Sequence, residues 1–177
     1  PGDYSQIITH LVLNALLHGI DGLEEGRIDI RVRASAEELE GLAESNDEAG
    51  CRVVAACARL LNRCIDFAHE NRLTRHQQVM FALADMMARV EVADAISRLA
   101  ATGDDPIQKA TARVFAHACA RLVTENVRLI VLGTDGIDDA AAETFLSSLD
   151  LTVLEASYRR VIDDVDQIAD HIFQRAS

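Results

Sequence analysis

Proline is scarce in this chain of 177 residues: it occurs only twice, and none lies between Gly2 and Asp105. Aromatic residues are also few, since the chain has no tryptophan, two tyrosines and five phenylalanines. Because proline breaks the interior of a helix, its absence over this span permits long helices. Alternation of β-branched and polar residues, which is typical of a strand, occurs only from Gly26 to Arg33. A single strand has no partner, so we interpret this segment as an extended connector.

Basic residues are in short supply, with 17 Lys and Arg against 29 Asp and Glu and a net charge of −12. This balance argues against nucleic-acid binding, which needs clustered Lys and Arg to contact phosphates. It also disfavours attraction to anionic lipid. Apolar residues make up 49% of the chain, which is too many for a disordered protein. A chain of this length can bury a hydrophobic core without disulfides or a structural metal, and we expect one domain or at most two small ones.

Cysteine is limited to four residues, and none of them forms a CxxC pair: Cys51, Cys57, Cys64 and Cys119. The usual spacings of zinc sites and thioredoxin-like motifs are therefore missing. We expect all four to be small buried residues in a reducing compartment, the cytoplasm of a bacterial cell. The chain contains no run of 18 apolar residues, so we predict no membrane-spanning helix. Because the chain begins with Pro1 rather than methionine, we expect it to be processed or cut from a longer polypeptide.

Alanine is abundant, with 27 residues, and alanine, leucine, arginine and glutamate are all strong helix formers. Apolar residues at spacings of three and four predict long helices at about 4–18, 47–71, 75–101 and 106–133, a last helix over 151–172, and two short ones at 35–44 and 140–149. We predict an all-α fold, a four-helix up-and-down bundle with two additional short helices. We expect residues 1–50 to form an N-terminal helix and crossover linker that pack on the bundle, and residues 51–177 to form the bundle domain.

Capping signals place the predicted helix starts. Asp105 followed by Pro106 is the clearest boundary, since Asp is a favoured N-cap and Pro a favoured first helical residue. Capping-box spacing occurs at Ser35 with Glu38, at Ser45 with Glu48 and at Thr74 with Gln77.

The last predicted helix has the most regular apolar pattern. Its seam alternates spacings of three and four without a break: Leu151, Leu154, Tyr158, Val161, Val165, Ile168 and Ile172. The predicted outer face holds Glu155, Arg159, Arg160, Asp163, Asp164, Asp166 and Asp170. Such a seam packs on another helix, either in this chain or in a second copy.

The sequence matches neither of the two metal-binding motifs that its helices and acidic residues suggest. A di-iron bundle needs Glu-x-x-His on two helices, whereas Asp66-x-x-His69 occurs once and uses Asp. Residues 135–170 hold ten acidic residues and two arginines, but their spacing does not match an EF-hand loop. We interpret this region as a solvated acidic face, with binding of a basic partner as the alternative.

No complete active site emerges from the sequence. It contains neither a glycine-rich phosphate loop between a strand and a helix nor a GxSxG motif. The six histidines are scattered, and none sits in a known nucleophile motif: His10, His18, His69, His76, His117 and His171. Asp85 and Arg89 have the spacing of an ordinary helical ion pair. We therefore predict no catalytic, cofactor-binding or metal-binding residues.

A family resemblance appears in the third and fourth predicted helices. The segment from Gln77 to Met86, with Leu83-Ala84-Asp85-Met86 at its end, resembles a helix in the C-terminal bundle of acyl-CoA dehydrogenases. The helix from Ala110 to Gly133 is similar to the next helix of that family, which ends in a glycine-rich turn. The resemblance covers about residues 69–133, and elsewhere it extends only to the order of the helices.

Three departures concern the flavin and the catalytic base. The family's arginine followed by Phe-Gly, which helps to hold FAD, is replaced by residues 71–74 (NRLT), and its Gly-Gly-Tyr-Gly turn by residues 132–136 (LGTDG). The Tyr-Glu-Gly-Thr segment that supplies the base is not matched, and Glu155 fits better as an exposed position. A closer resemblance is to the extra C-terminal domain of very-long-chain-type acyl-CoA dehydrogenases, which is similar to a degenerate second bundle.

The resemblance implies a non-catalytic C-terminal domain of a flavoenzyme of fatty-acid β-oxidation, which supports subunit assembly. FAD is implied for the parent enzyme and not for this chain, and whether the chain alone is an enzyme stays open. The implied partners are the N-terminal catalytic part of the same polypeptide and a second copy in a homodimer. One alternative is a free-standing helical interaction module with an acidic face. Another is peripheral membrane contact through the first predicted helix, which the charge disfavours.

Overall fold

Helices form most of the chain in the computed structural model, which describes residues 36–44 and 47–173. They are α1 (residues 36–44), α2 (Cys51–Glu70), α3 (Gln77–Ala101), α4 (Pro106–Leu132), α5 (Asp139–Ser147), α6 (Thr152–Ala156) and α7 (Val161–Ile172), with single 3-10 turns at Asp47–Ala49 and Leu73–Arg75. The described residues include no strand, so the predicted all-α bundle is confirmed. The predicted helix at 4–18 and the connector from Gly26 to Arg33 lie outside the described residues.

Three long helices, α2, α3 and α4, pack against one another and enclose the core. Small side chains, mostly alanine and cysteine, fill much of the interface between them. Such residues let helix axes approach closely, and larger side chains such as Leu61, Met86 and Ile130 fill the remaining space. All four cysteines are buried and free, as the sequence predicted.

The short helix α1 contributes to the core and forms ion pairs with α2 and α3. Ala36, Leu39 and Ala43 share one face of it and are buried in the core. Glu38 forms an ion pair with Arg98 of α3 at 2.8 Å, and Glu40 forms one with Arg59 of α2. The short acidic helix predicted to end near Glu44 is thus confirmed over residues 36–44.

The predicted starts of α2 and α3 were wrong in detail. Helix α2 begins at Cys51, four residues later than predicted, because Gly50 adopts a left-handed backbone with φ of 73°. A Cβ at Gly50 would lie 3.0 Å from Cβ of Ala116, so the chain approaches α4 closely there. Helix α3 begins at Gln77, and Thr74 lies inside the preceding 3-10 turn rather than at the N-cap.

The start and end of α4 follow the sequence signals. Oδ1 of Asp105 accepts a hydrogen bond from the backbone N–H of Ile107 at 2.8 Å, with Pro106 as the first helical residue. Gly133 ends the helix, and its N–H donates to the carbonyl of Leu129 at 2.8 Å. Both predictions for this helix are confirmed.

The predicted continuous helix over 151–172 is corrected. Helix α6 ends at Ala156, and Arg160 takes a left-handed backbone with φ of 67° before α7 begins at Val161. Helix α6 contacts both α2 and α4, whereas α7 contacts α4 alone among the elements from Asp47 to Ile172. The break therefore separates the predicted seam into two parts that face different surroundings.

Candidate functional site

The surface formed where α7 lies on α4 carries an ion pair whose carboxylate is almost fully buried. Nε and Nη2 of Arg113 donate to the two carboxylate oxygens of Asp164 at 2.8 and 2.6 Å. Asp164 is 1% exposed, so this is a buried two-point ion pair. It holds α7 at a fixed rotation about its own axis.

The same arginine joins α7 to the turn that precedes α2. Nη1 of Arg113 donates to the backbone carbonyl of Glu48, and Nζ of Lys109 donates to the Glu48 carboxylate at 2.8 Å. The hydrogen bond from Lys109 lowers the pKa of Glu48, and the hydrogen bond with Asp164 raises the pKa of Arg113. These contacts pair every charge in the cluster and leave no carboxylate or amine poised for proton transfer, so the cluster stabilises the junction.

A serine–histidine contact marks the break between α6 and α7. Nδ1 of His117 lies 3.1 Å from Oγ of Ser157, and the ring of Tyr158 packs edge-on at 4.5 Å between centroids. His117 is 9% exposed, and burial, together with the charge of Arg121, lowers its pKa. The imidazole is therefore favoured in its neutral form.

This contact does not have the geometry of a nucleophile and its base. The Ser157 hydroxyl donates its single proton to the carbonyl of Leu154 at 2.5 Å, so Nδ1 of His117 must be the donor in the contact between them. A catalytic histidine accepts from the serine and is oriented by a third group. Within the described part of the chain, no carboxylate contacts the other ring nitrogen. We interpret the pair as a tether that fixes the turn against α4.

The face of α7 turned away from α4 is apolar and uncovered within the described residues. Ile162 is 73% exposed, Val165 47% and Ile172 64%, although the sequence pattern predicted a buried seam through Val165 and Ile172. Asp164, which we had assigned to the outer face, takes the buried position instead. The sequence did contain a signal for this, because Asp164 lies three residues after Val161 and four before Ile168, on the same helical face.

A shallow cleft lies between α4 and the α5–α6 segment. It comprises two adjoining cavities of about 230 and 220 Å³ that share Thr124, Arg128 and Leu151. The first has mainly apolar walls: Leu60, Val127, Leu146 and Leu149. Each cavity is smaller than the roughly 300–1,000 Å³ of sites for drug-sized ligands. The cleft has room for a small apolar group beside two arginines, Arg121 and Arg128, but it brings together no set of catalytic residues.

The two residue pairs singled out in the sequence, Asp66 with His69 and Asp85 with Arg89, do not form reactive sites. Asp66 and His69 are both exposed on α2, and no group of three metal-ligating side chains occurs in the part of the chain that the structure describes. The guanidinium of Arg89 lies over the ring of Phe115 at 5.5 Å, instead of forming the ion pair expected with Asp85.

Two cysteines from different helices meet in the core. A hydrogen bond between the Cys57 and Cys119 thiols, together with burial, raises the pKa of Cys57. Burial also raises the pKa of Cys64, to about 12. Thiols in this state are poor nucleophiles, so these residues act as packing side chains.

The two segments that depart from the flavoenzyme pattern serve as helix ends. The Asn71 side chain donates to the carbonyl of Phe67 at 2.8 Å, and Leu73 is buried. At the end of α4, the Thr134 hydroxyl donates to the carbonyl of Ile130 at 2.8 Å. Each contact ties one polar side chain of the segment to the last turn of the preceding helix.

No protein-family model matches the chain, and searches of curated proteins and of solved structures gave no significant match. Across residues 36–44 and 47–173, none of the helices combines the length and the apolar character needed to cross a membrane.

Proposed function

We propose that this chain is the non-catalytic C-terminal helical domain of an acyl-CoA dehydrogenase-like flavoenzyme, and that it supports subunit assembly. The observation that carries the proposal is the placement of the segment from Gln77 to Met86. Gln77 is the first residue of α3, and Leu83, Ala84 and Met86 are buried where α3 packs on α2 and α4. A short connection joins α3 to α4, as expected for neighbouring antiparallel helices of a bundle.

The helical order supports the same proposal. Helices α3 and α4 correspond to the two segments that resemble the flavoenzyme bundle, and they form the most extensive helix pair of the described chain. The partners in this proposal are the N-terminal catalytic part of the same polypeptide and a second copy in a homodimer. Catalysis and FAD binding are assigned in this proposal to the catalytic part.

The size of the native polypeptide is the first test. An immunoblot of source cells with antibodies against residues 36–173 should show a band several hundred residues larger than this chain. A band near 19.3 kDa would contradict the proposal and favour the alternative, a free-standing helical interaction module with an acidic face.

A core substitution then separates assembly from chemistry in the full-length parent. Leu61 is fully buried, so Leu61→Asp should place an unpaired charge in the core and unfold the bundle. We expect the variant to retain flavin absorbance near that of the wild type but to lose the native oligomeric mass in sedimentation. Arg52→Ala, at a side chain 53% exposed on the same helix, is the matched control and should change neither property. Loss of flavin with an unchanged oligomeric mass would refute the assembly role.

A further inference from the structure

The cleft between α4 and the α5–α6 segment contains one cavity with mainly apolar walls. Leu60 of α2 and Val127 of α4 line it from the core and are almost fully buried. Leu146, Leu149 and Leu151 line it from α5 and the connection to α6. The cavity measures about 230 Å³. An apolar cavity of about 150 Å³ is enough to hold benzene, so this one has room for an apolar group of about six carbons.

Among the described residues that line this cavity, Arg128 alone carries a charge. Its side chain is exposed, and within residues 36–44 and 47–173 its guanidinium forms no ion pair. Arg128 also lines the second cavity, so it lies where the two cavities adjoin. A guanidinium has only N–H donors and no acceptor, and it binds a carboxylate in a bidentate manner. The position therefore favours an anionic group beside the apolar cavity and disfavours a cation.

The other two residues that both cavities share offer no donor for a ligand. Thr124 lies at the junction, but its hydroxyl donates its single proton to the carbonyl of Ala120 at 2.8 Å. Leu151, the remaining shared residue, has an apolar side chain. A carboxylate at the junction therefore depends on Arg128. Loss of this side chain should remove any preference for an acid over a neutral analogue of the same shape.

The second cavity limits how much negative charge a ligand can carry. It measures about 220 Å³, and Arg121, Glu125 and Glu155 line it together with Arg128. Arg121 and Glu125 form an exposed ion pair at 3.6 Å, so their charges largely offset each other. Glu155 is exposed and repels a further anionic group, and the net charge of −12 acts in the same direction. A ligand with one carboxylate therefore fits the cleft better than a phosphate or a dicarboxylate.

We propose that this cleft binds a small monocarboxylate, with an apolar part of about six carbons in the first cavity and the carboxylate against Arg128. Burial of the apolar part and the charge-assisted hydrogen bonds then both contribute to affinity. The site binds the acid without converting it, because the described residues that line the cleft form no catalytic set. The proposal goes beyond the assembly role and does not rest on it, since it concerns the residues of the cleft alone.

Titration of the isotope-labelled full chain with phenylacetate at pH 7, followed by two-dimensional NMR, tests the proposal. We expect saturable shifts at the amides of Thr124, Arg128 and Leu149. The dissociation constant should be on the order of 1 mM, as for a ligand of about ten non-hydrogen atoms that makes few contacts. Phenylacetamide has nearly the same shape without the charge and should bind about tenfold more weakly. Acetate, which lacks the ring, should give no saturation over the same range.

Two substitutions separate the charge from the apolar cavity. Arg128→Gln should weaken phenylacetate about tenfold and leave phenylacetamide unchanged, because only the acid uses the charge. Leu149→Asn should weaken both ligands about fivefold, because it removes apolar surface that both bury. Arg52→Gln changes an exposed arginine of α2 that lines neither cavity. It is the matched control and should change neither affinity.

Equal affinities of the wild type for phenylacetate and phenylacetamide would overturn the proposal. This comparison uses the wild type alone, so it does not depend on the folding of a variant. An unchanged affinity for phenylacetate in Arg128→Gln, or shifts that do not saturate, would overturn it as well. Saturable shifts at amides outside the cleft would place the acid elsewhere and count against it in the same way.

Discussion

Removal of either partner of the Arg113–Asp164 pair should destabilise the domain, and by unequal amounts. The Asp164 side chain is 2% exposed and that of Arg113 is 22% exposed. Arg113→Met leaves a carboxylate in a site closed to water. Asp164→Leu leaves a guanidinium that reaches solvent and still donates to the carbonyl of Glu48.

These exposures set the magnitudes. Breaking a buried ion pair by removing one partner costs about 3–5 kcal/mol. We expect Arg113→Met to lie at the upper end, about 4–5 kcal/mol, because the remaining charge has no access to water. Asp164→Leu should cost about 2–3 kcal/mol, since solvent screens the remaining arginine in part. The double variant removes both charges and should fall within about 1 kcal/mol of the wild type.

Urea unfolding followed by circular dichroism at 222 nm measures all four proteins of this cycle. The exposed pair of Arg52 and Asp47, with a distance of 3.4 Å, is the matched control, and Arg52→Ala should cost no more than about 1 kcal/mol. A double variant as unstable as the sum of the single variants would refute the reasoning. So would equal costs for the two single variants, because the argument depends on the difference in exposure.

Three further predictions concern single residues. Burial lowers the pKa of His117 in the folded protein below the unfolded value of 6.5. The contribution of the neutral imidazole to stability is therefore complete above pH 6.5 and is lost as the pH falls through the lowered folded pKa. The urea midpoints at pH 5.5 and 7.5 should differ less in His117→Gln than in His76→Gln. Gly50→Ala should cost about 1–3 kcal/mol more than Gly136→Ala in thermal unfolding, because both have positive φ but only Gly50 faces a neighbour within 4 Å, and equal costs would contradict this. With a pKa of about 12, Cys64 should react with a disulfide reagent at pH 8 only as fast as the domain unfolds, and labelling at the rate of a free thiol would show that it is accessible.

The helices and much of the core were predictable from the sequence. Apolar residues at spacings of three and four located α2, α3 and α4, and the Asp105–Pro106 boundary was correct to the residue. The burial of the four cysteines was also predicted correctly. These features follow from local propensity and amphipathic period, which the sequence carries directly.

The break in the last helix could not be read from the apolar pattern. The spacing of the predicted seam is unbroken through Tyr158 and Val161, yet the chain leaves the helix at Arg160. Tertiary contacts lie on both sides of the break: Leu154 is buried against the bundle, and Asp164 pairs with Arg113. Periodicity reports which residues share a face, but it does not report which partner that face meets.

The sequence by itself therefore determined the class of the fold, the order of its long helices and the small-residue character of its interior. The tertiary structure decided which charged group entered the interior and which apolar face stayed outside. The physical reason is that burial of Asp164 depends on an arginine 51 residues away in sequence, whose position is set only when α4 and α7 pack together. Once that pair forms, the rotation of α7 is fixed, and the stripe of Ile162, Val165 and Ile172 faces outward.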